Sequence, residues 1–312
     1  MVSRPDAWPI LPLSTWKDTC DTLHLWTQMV GKVKLALSPF ANHWWHVPLY
    51  VGARGLATGA IPYAGGSFEM TFDFIDHHLR FDASDGTTAR MALCPRSVAD
   101  FYREFTATLR GLRIDAAIWP VPVEMPDHRV RFDQDETHDA YDADAAHKFW
   151  RMLLVADQAL KEFRSSFIGK CSPVHFFWGS FDLAVTRFSG RRAPERKDAD
   201  PVTREAYSHE VSSAGFWPGG GPVPDAAFYA YAAPEPAGFK TASIQPPRAF
   251  YSPELSIYVF MYEDARTADS PTRAIYEFLE STYAAGANLA NWNRADLERA
   301  AAPVPIPVRS RG

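Results

Sequence analysis

Apolar residues recur at every third or fourth position in four segments of the chain, a spacing that places them on one face of an α-helix. In the clearest segment they are Phe149, Leu153, Ala156, Leu160, Phe163 and Phe167. The other three predicted helices begin near Thr15, Ser97 and Ser270, because hydroxyl side chains commonly cap helix N-termini. A short fifth helix is predicted over residues 293–301.

Between the predicted helices the hydrophobic period changes to two, which is typical of strands with one buried face. Phe68, Met70, Phe72 and Phe74 alternate with polar residues, and strands are also expected around residues 228–232 and 255–262. Two segments show neither period and are predicted to be loops. They are residues 124–143, an acidic linker, and residues 189–226, which are long enough to indicate a functional loop.

The order helix, strand, loop, strands, helix occurs twice, so the sequence predicts an α+β protein of two similar halves with antiparallel strands and flanking helices. Residues 34–56 align without gaps with residues 161–183. The matching pairs include Ser38 and Ser165, Phe40 and Phe167, Gly52 and Gly179, and Leu56 and Leu183. Chance similarity is the alternative. The predicted units are a first half (1–123), the acidic linker (124–143), a second half (144–301) and a Pro-rich tail (302–312).

Composition narrows the class of protein. The 312 residues are 46% hydrophobic and 22% charged, with a net charge of −5, so a nucleic-acid-binding surface is not expected. No apolar run is long enough to span a membrane. Three cysteines are too few and too scattered for a disulfide framework, and the first residues do not resemble a signal peptide, so we expect a cytoplasmic protein. An aromatic content of 14% is enough for both a large core and a stacking pocket.

Candidate chemistry is concentrated in residues 170–190 and 208–221, where titratable groups lie among many aromatic residues. Burial among aromatic side chains tunes such groups for acid–base catalysis. The candidate catalytic residues are His175, Asp182, His209 and Glu210. The candidate ligand-binding residues are His43, Trp45, His46, Trp178, Arg187, Trp217 and Tyr231. Arg187 is a candidate anion clamp, with a structural ion pair to Asp182 as the alternative.

Histidine spacing matches no dedicated metal motif, so we expect no stoichiometric transition metal and cannot name a cofactor. If a metal is bound, the ligands to test are His43, His46, His175, His209 and Glu210. Cys171 and His175 form a candidate thiolate pair, with an inert buried cysteine as the alternative.

Several long stretches, among them GKCSPVHFFWGSFDLAVTRFSGR and EAYSHEVSSAGFWPGGG, resemble an uncharacterised bacterial family catalogued as domain of unknown function 5996. The resemblance runs from about Trp8 to about Leu297. It implies one architecture over nearly the whole chain, and it implies no activity, cofactor or catalytic residue.

Two functions follow from the residues. The favoured one is an enzyme that acts on a small organic molecule by His/carboxylate acid–base chemistry in an aromatic cleft between the halves. The alternative is a protein that binds a small ligand or a partner in the same cleft without catalysis. The sequence leaves the oligomeric state open. We further expect residues 208–217 to fold back over the strand that carries His175, so that His209 or Glu210 approaches His175 and Trp178.

Overall fold

Helices form where the apolar spacing predicts them. The computed structural model describes residues 7–125 and 128–299. The helices are α1 (Lys17–Leu37), α2 (Val98–Gly111), α3 (Ala143–Ser165), α4 (Pro201–Ala206), α5 (Tyr262–Arg266), α6 (Pro271–Leu289) and α7 (Arg294–Leu297). The Ser97 hydroxyl caps α2 by accepting a hydrogen bond from the backbone N–H of Asp100 (3.1 Å). Thr15 and Ser270 do not cap, since neither α1 nor α6 receives a side-chain capping bond.

The strands form two antiparallel sheets of six strands each within the described residues. The first sheet contains β1 (Tyr50–Val51), β2 (Gly55–Ala57), β3 (Ile61–Tyr63), β4 (Gly66–Asp73), β5 (His78–Ala83) and β6 (Thr88–Ala92). The second contains β7 (His175–Phe177), β8 (Asp182–Arg192), β9 (His209–Trp217), β10 (Ala227–Ala233), β11 (Phe250–Ser252) and β12 (Ile257–Met261). The spatial order is β1-β2-β4-β5-β6 in the first sheet, with β3 beside β4, and β11-β12-β10-β9-β8-β7 in the second. The α+β class is therefore confirmed.

The two halves have corresponding layouts. Each starts with a long helix, continues through an antiparallel meander and ends with a second long helix. Gly52 and Gly179 both lie in the turn after the first strand of their sheet, and Glu104 and Glu277 occupy the same position in α2 and α6. The layouts fit the predicted repeat, whereas a duplication as its origin stays a prediction.

The two sheets meet at their first strands. Leu49, next to β1, and Phe176 in β7 exchange two backbone hydrogen bonds, from Leu49 N to Phe176 O (2.9 Å) and from Phe176 N to Leu49 O (2.8 Å). These two residues are equivalent in the gapless alignment of the halves, in which position 49 corresponds to 176. An antiparallel bridge between equivalent residues is what a local twofold axis through the sheet produces.

Helices cover one face of each sheet and form a continuous core with it. α1 is buried on nearly all sides, and its Trp26 stacks on Phe101 of α2 with ring centroids 4.4 Å apart. In the second half Phe278 of α6 packs on Phe260 of β12. One face of each sheet is therefore unavailable to a ligand, and the face away from the helices, called here the outer face, is left for function.

The outer faces of the two sheets differ. On the first sheet the outer face is polar and surface-exposed; its residues include Glu69, Thr71, His78, Arg80, Asp82 and Arg90. On the second sheet it is largely apolar and aromatic; its residues include Phe188, Val211, Trp217, Tyr229 and Tyr231. Only the outer face of the second sheet therefore has the aromatic character expected of a small-molecule site.

Residues 189–226 were expected to be one long loop, and this expectation is wrong. β8 extends to Arg192, α4 follows, and β9 runs from His209 to Trp217 as an inner strand between β8 and β10. Residues 208–217 therefore lie within the sheet and do not fold over it. The alternation of β9 was hidden because both of its faces carry small or apolar residues.

The predicted acidic linker packs against the body of the protein in its described part. Phe132, Asp135 and Tyr141 are buried, and Phe132 N donates a hydrogen bond to Pro120 O (2.8 Å). The predicted Pro-rich tail, 302–312, lies outside the described residues. Among the helices that are described, none has the length and hydropathy needed to cross a bilayer.

Candidate functional site

The predicted site residues are divided between the two faces of the second sheet. Side chains alternate along a strand. The strand register therefore places one set on the outer face, namely His175, Asp182, Trp217 and Tyr231, with His209 at the end of β9. Trp178, Arg187 and Glu210 are directed to the helix side, so they are not part of an outer-face site.

Arg187 is a buried structural residue. Its Nη2 donates hydrogen bonds to Phe163 O and to Ser166 Oγ (2.9 Å), and lies 3.2 Å from a carboxylate oxygen of Glu280. The guanidinium also lies over the Phe163 ring, 3.4 Å from its centroid. Arg187 therefore pairs with Glu280 and not with Asp182, and it does not face the outer surface.

Glu210 and Trp178 are also engaged elsewhere. The Glu210 carboxylate accepts hydrogen bonds from Ser189 Oγ (2.9 Å) and from Arg191 Nη2 (2.7 Å). The Trp178 indole packs against Gly31 of α1, and its Nε1 donates to Val47 O (3.0 Å). The expected approach of Glu210 to His175 and Trp178 is therefore wrong.

His175 is completely buried, with 0% of its surface exposed. Its ring lies among those of Trp45, Tyr50 and Phe177, at centroid distances of 6.1, 5.6 and 5.5 Å. Neither ring nitrogen has a hydrogen-bond partner among the described residues. Burial, followed by the nearby charge of Lys34, lowers the pKa of His175 to about 3. The ring is therefore neutral at physiological pH and closed to solvent.

Asp182 is a buried carboxylate on the outer face. It accepts hydrogen bonds from the hydroxyls of Tyr229 and Ser180. Burial raises its pKa, and these two hydrogen bonds oppose the rise. Glu124, which the sequence did not single out, places its carboxylate against Gly179 in the turn before β8. Desolvation, followed by the charge of Asp182, raises the pKa of Glu124 as well, although the residue as a whole is exposed.

A second polar cluster, the His43 cluster, joins the halves at the other end of the outer face. His43 Nδ1 bonds Glu205 O (3.0 Å), and its Nε2 lies 2.6 Å from Lys170 Nζ. The ring therefore donates from Nδ1 and accepts from the lysine at Nε2, which fixes the tautomer. Burial and the charge of Lys170 lower the pKa of His43, so it is neutral. The Lys170 ammonium also lies over the rings of Phe188 and Trp45.

His209 adjoins this cluster. Its ring centroid is 5.7 Å from that of His43, and its Nδ1 is 3.1 Å from Ser208 Oγ. Desolvation and the charges of Lys170 and Arg192 lower the pKa of His209. The rings of Trp45 and His43 lie between His175 and His209.

A cavity of about 530 Å³ opens beside the His43 cluster. Its lining consists of Arg192, Ala193, Pro194, Glu195, Arg196, Pro201, Arg204, Glu205, Tyr207 and Ser208. Three guanidiniums line it, and none of them forms a salt bridge within the described part of the chain. The charged run RRAPERKDAD (residues 191–200) supplies half of this lining.

Two other candidates, His46 and Cys171, have surroundings that indicate a role in the fold. His46 stacks on Trp44, and its Nδ1 accepts a hydrogen bond from Ala41 N (3.2 Å). Burial raises the pKa of Cys171 to about 11, so its sulfur is a thiol at neutral pH. The inert-cysteine alternative therefore describes Cys171 better than the thiolate pair does.

A group of residues with metal-ligand chemistry lies away from the cavity. His128, Asp135 and His138 each offer one ligand atom, and these atoms lie within 4.8 Å of one another. These histidines belong to the segment that the sequence predicts to be an acidic linker, so no hydrophobic pattern marks them. The signal that could have found them is a spacing of H-x₆-D-x₂-H between two helices.

Comparison with known proteins identifies a family and nothing closer. The model of a family of unknown function (DUF5996) matches residues 8–299, which is nearly the whole chain. No curated protein and no solved structure matches the chain significantly.

Proposed function

The chain belongs to the family of unknown function DUF5996, and we propose that it binds a small organic anion, with a carboxylate or phosphate group, in the cavity beside the His43 cluster. The observation that carries this proposal is the set of three arginines, Arg192, Arg196 and Arg204, lining one cavity without acidic partners among the described residues. Planar guanidiniums bind carboxylate and phosphate oxygens through paired hydrogen bonds.

The charge balance supports an anionic ligand. Two acidic side chains, Glu195 and Glu205, also line the cavity, so the three arginines leave a net positive charge. Glu205 is partly committed, because its Oε1 accepts a hydrogen bond from His43 N (3.0 Å). Lys170 adds a further positive charge behind the wall. A cavity with a net positive charge is stabilised by an anion that neutralises it.

The cavity wall is organised before any ligand binds. The Arg196 guanidinium stacks on the Tyr207 ring, 4.3 Å from its centroid. The Tyr207 hydroxyl lies 2.9 Å from the hydroxyl of Tyr231 on β10. An arginine held by an aromatic ring that is itself bonded to the sheet loses little freedom on binding.

All residues that line the cavity belong to the second half, and the first half supports its wall. His43 of the first half contacts Glu205 and Lys170. His209 and Tyr231 contact the lining residues Ser208 and Tyr207. The proposal therefore moves the site from His175 to the segment before β9, with His43, Trp45, His209 and Tyr231 behind its wall and Trp178, Arg187 and Glu210 away from it.

Catalysis in the same cavity is the second candidate, and the position of His209 favours it. This histidine is half-buried, has a lowered pKa and follows the lining residue Ser208 directly. A neutral imidazole beside an anion site has the chemistry of a general base. In an enzyme of this kind His209→Gln would abolish turnover and retain binding of the anion.

Thermal unfolding with added anions tests the proposal. We expect inorganic phosphate or succinate to raise the Tm of the protein as its concentration increases, because a ligand that binds only the folded state stabilises it. Succinamide, the uncharged analogue of succinate, should have no effect. The double variant Arg196→Gln/Arg204→Gln should weaken binding by at least about tenfold, the loss expected when charge-assisted hydrogen bonds are removed.

The matched control is Arg110→Gln, which removes an exposed arginine from the last turn of α2. This variant should respond to the anions as the wild type does. An equal response of the double variant and the wild type, or no response of the wild type to either anion, would contradict the proposal.

A further inference from the structure

We infer that His128, Asp135 and His138 form a binding site for one divalent transition-metal ion. The three side chains come from a stretch of 11 residues, and each offers one nitrogen or oxygen within 4.8 Å of the other two. Two imidazoles and one carboxylate are a ligand set that suits zinc and ferrous iron.

The spacing of the ligand atoms is close to that around a metal. His128 Nε2 lies 3.0 Å from Asp135 Oδ2, and His138 Nδ1 lies 2.9 Å from the same oxygen. Ligands about 2.0–2.1 Å from a tetrahedral zinc ion are about 3.3 Å apart. A shift of a few tenths of an ångström would bring these two pairs to that spacing.

A hydrogen-bonded His–Asp–His cluster without metal is the competing explanation, and the orientation of His128 opposes it. His128 Nε2 is buried and has no hydrogen-bond partner among the described residues, although Asp135 Oδ2 is only 3.0 Å away. The nitrogen is close enough for a hydrogen bond and is out of line for one. A ring nitrogen placed in this way is free to donate its lone pair to a third atom.

The carboxylate is held in place by the backbone around it. Asp135 Oδ1 accepts hydrogen bonds from Thr137 N (3.1 Å) and His138 N (3.2 Å), whereas Oδ2 bonds His138 Nδ1 (2.9 Å), a contact that a bound metal would replace. The carbonyl oxygens of Asp135 and His138 accept from Ala99 N and Val98 N at the start of α2 (both 3.0 Å). Supporting hydrogen bonds of this kind orient metal ligands and raise metal affinity.

The site is open enough to bind a further ligand. The Asp135 side chain is 1% exposed, whereas those of His128 and His138 are 15% and 23% exposed. Three protein ligands with solvent access are the arrangement of catalytic metal sites, in which water occupies the fourth position. The inferred site therefore resembles a reactive centre more than a structural one.

This inference differs from the sequence-based expectation of a metal-free protein, and metal titration decides between them. The full-length chain is stripped with a chelator and titrated calorimetrically with Zn²⁺, Co²⁺ and Mg²⁺ in separate experiments. We expect one Zn²⁺ per chain, a Co²⁺ complex with the visible absorption of a low-coordinate site, and no binding of Mg²⁺, since Mg²⁺ prefers oxygen ligands.

Two variants connect the binding to these residues. Asp135→Asn keeps the acceptor for the backbone turn and removes the charge, and His138→Gln removes one ring. Each should weaken Zn²⁺ binding by at least about tenfold, the lower range for losses at metal sites. The control His78→Gln, on the exposed outer face of the first sheet, should bind Zn²⁺ as the wild type does.

Circular dichroism of each variant establishes whether it is folded. If one variant does not fold, the other still tests the site. The inference is overturned if stripped wild-type protein fails to bind Zn²⁺ at 1:1 stoichiometry. It is also overturned if folded variants bind Zn²⁺ as tightly as the wild type, because the metal would then lie elsewhere, for example at His43 and His209.

Discussion

His24, which is half-buried, and His175, which is fully buried, show how differently two histidines are accommodated. His24 Nε2 bonds Gly179 O (2.9 Å), and burial lowers its pKa to about 4. His175 has no partner for either nitrogen among the described residues, and its pKa is lowered to about 3. An unpaired polar group in the interior costs stability. Burying His175 therefore costs folding stability, and the aromatic packing around its ring offsets this loss.

The lowered pKa of His175 predicts a pH dependence of stability. The unfolded chain takes up a proton near pH 6.5 and the folded one only near pH 3, so stability is complete above pH 6.5 and falls as the pH drops below it. In His175→Phe this loss is absent. Its unfolding free energy relative to wild type should therefore rise by about 2 kcal/mol between pH 7 and pH 5.

Urea denaturation of both proteins at the two pH values measures the difference. His24 titrates in both proteins and cancels in the comparison. If the variant and the wild type lose the same stability on acidification, His175 accepts a proton in the folded state and must be reachable by water.

At the scale of secondary-structure elements, the sequence indicates the hydrophobic period of a helix well. It indicates poorly which residues each face of a strand will contact. The helices around Phe149 and Ser97 were predictable because their apolar stripes are regular. β9 was missed because an inner strand with small residues on both faces has no alternation. Arg187 and Glu210 lie apart from the outer-face candidates for a related reason: neighbouring strand residues point to opposite faces, so residues that are close in sequence separate in space.

A pair of helical glycines tests the packing of α1 against the second half. A Cβ at Gly31 would lie 2.2 Å from the Trp178 ring, whereas a Cβ at Gly111 in α2 would meet no atom within 4 Å. Gly31→Ala should destabilise the protein by about 1–3 kcal/mol, as overpacking does. Gly111→Ala should be neutral or stabilising by up to about 1 kcal/mol, because alanine favours the helix.

Chemical denaturation of the two variants against wild type gives both values. Equal effects of the two substitutions would show that the Trp178 ring moves away without cost, and that the contact between α1 and the second half is loose.

At the scale of the whole molecule, the sequence predicted two halves with a linker, and the structure shows how firmly they are joined. The sheets are hydrogen-bonded through Leu49 and Phe176, and Trp150 Nε1 of α3 donates to Gly52 O of the first half (3.1 Å). These contacts depend on residues far apart in the chain, and no local pattern encodes them. The arginine cavity and the His128 group were missed for the same reason, since each uses a segment that a sequence pattern describes only as polar.

Limited trypsin digestion tests this organisation. Among internal sites we expect the first cleavage after the exposed residues Arg191–Lys197, which border the cavity. Arg129 and Arg131 are also exposed, but buried Phe132 and Asp135 anchor their segment to the core, so cleavage there should be slower. Mass spectrometry of early fragments identifies the order. A first cut after Arg129 or Arg131 would show that the halves are joined by an open hinge.

The bridge between Leu49 and Phe176 also bears on aggregation. The bridge pairs the inner edge of one sheet with that of the other, so the remaining edge strands among the described residues include β6 and the three-residue strands β3 and β11. A short edge strand offers little template for another chain. If the halves separated, two apolar inner edges would be exposed at once, each complementary to the same edge of a neighbouring molecule. The intramolecular pairing therefore protects the chain from exchanging halves with its copies.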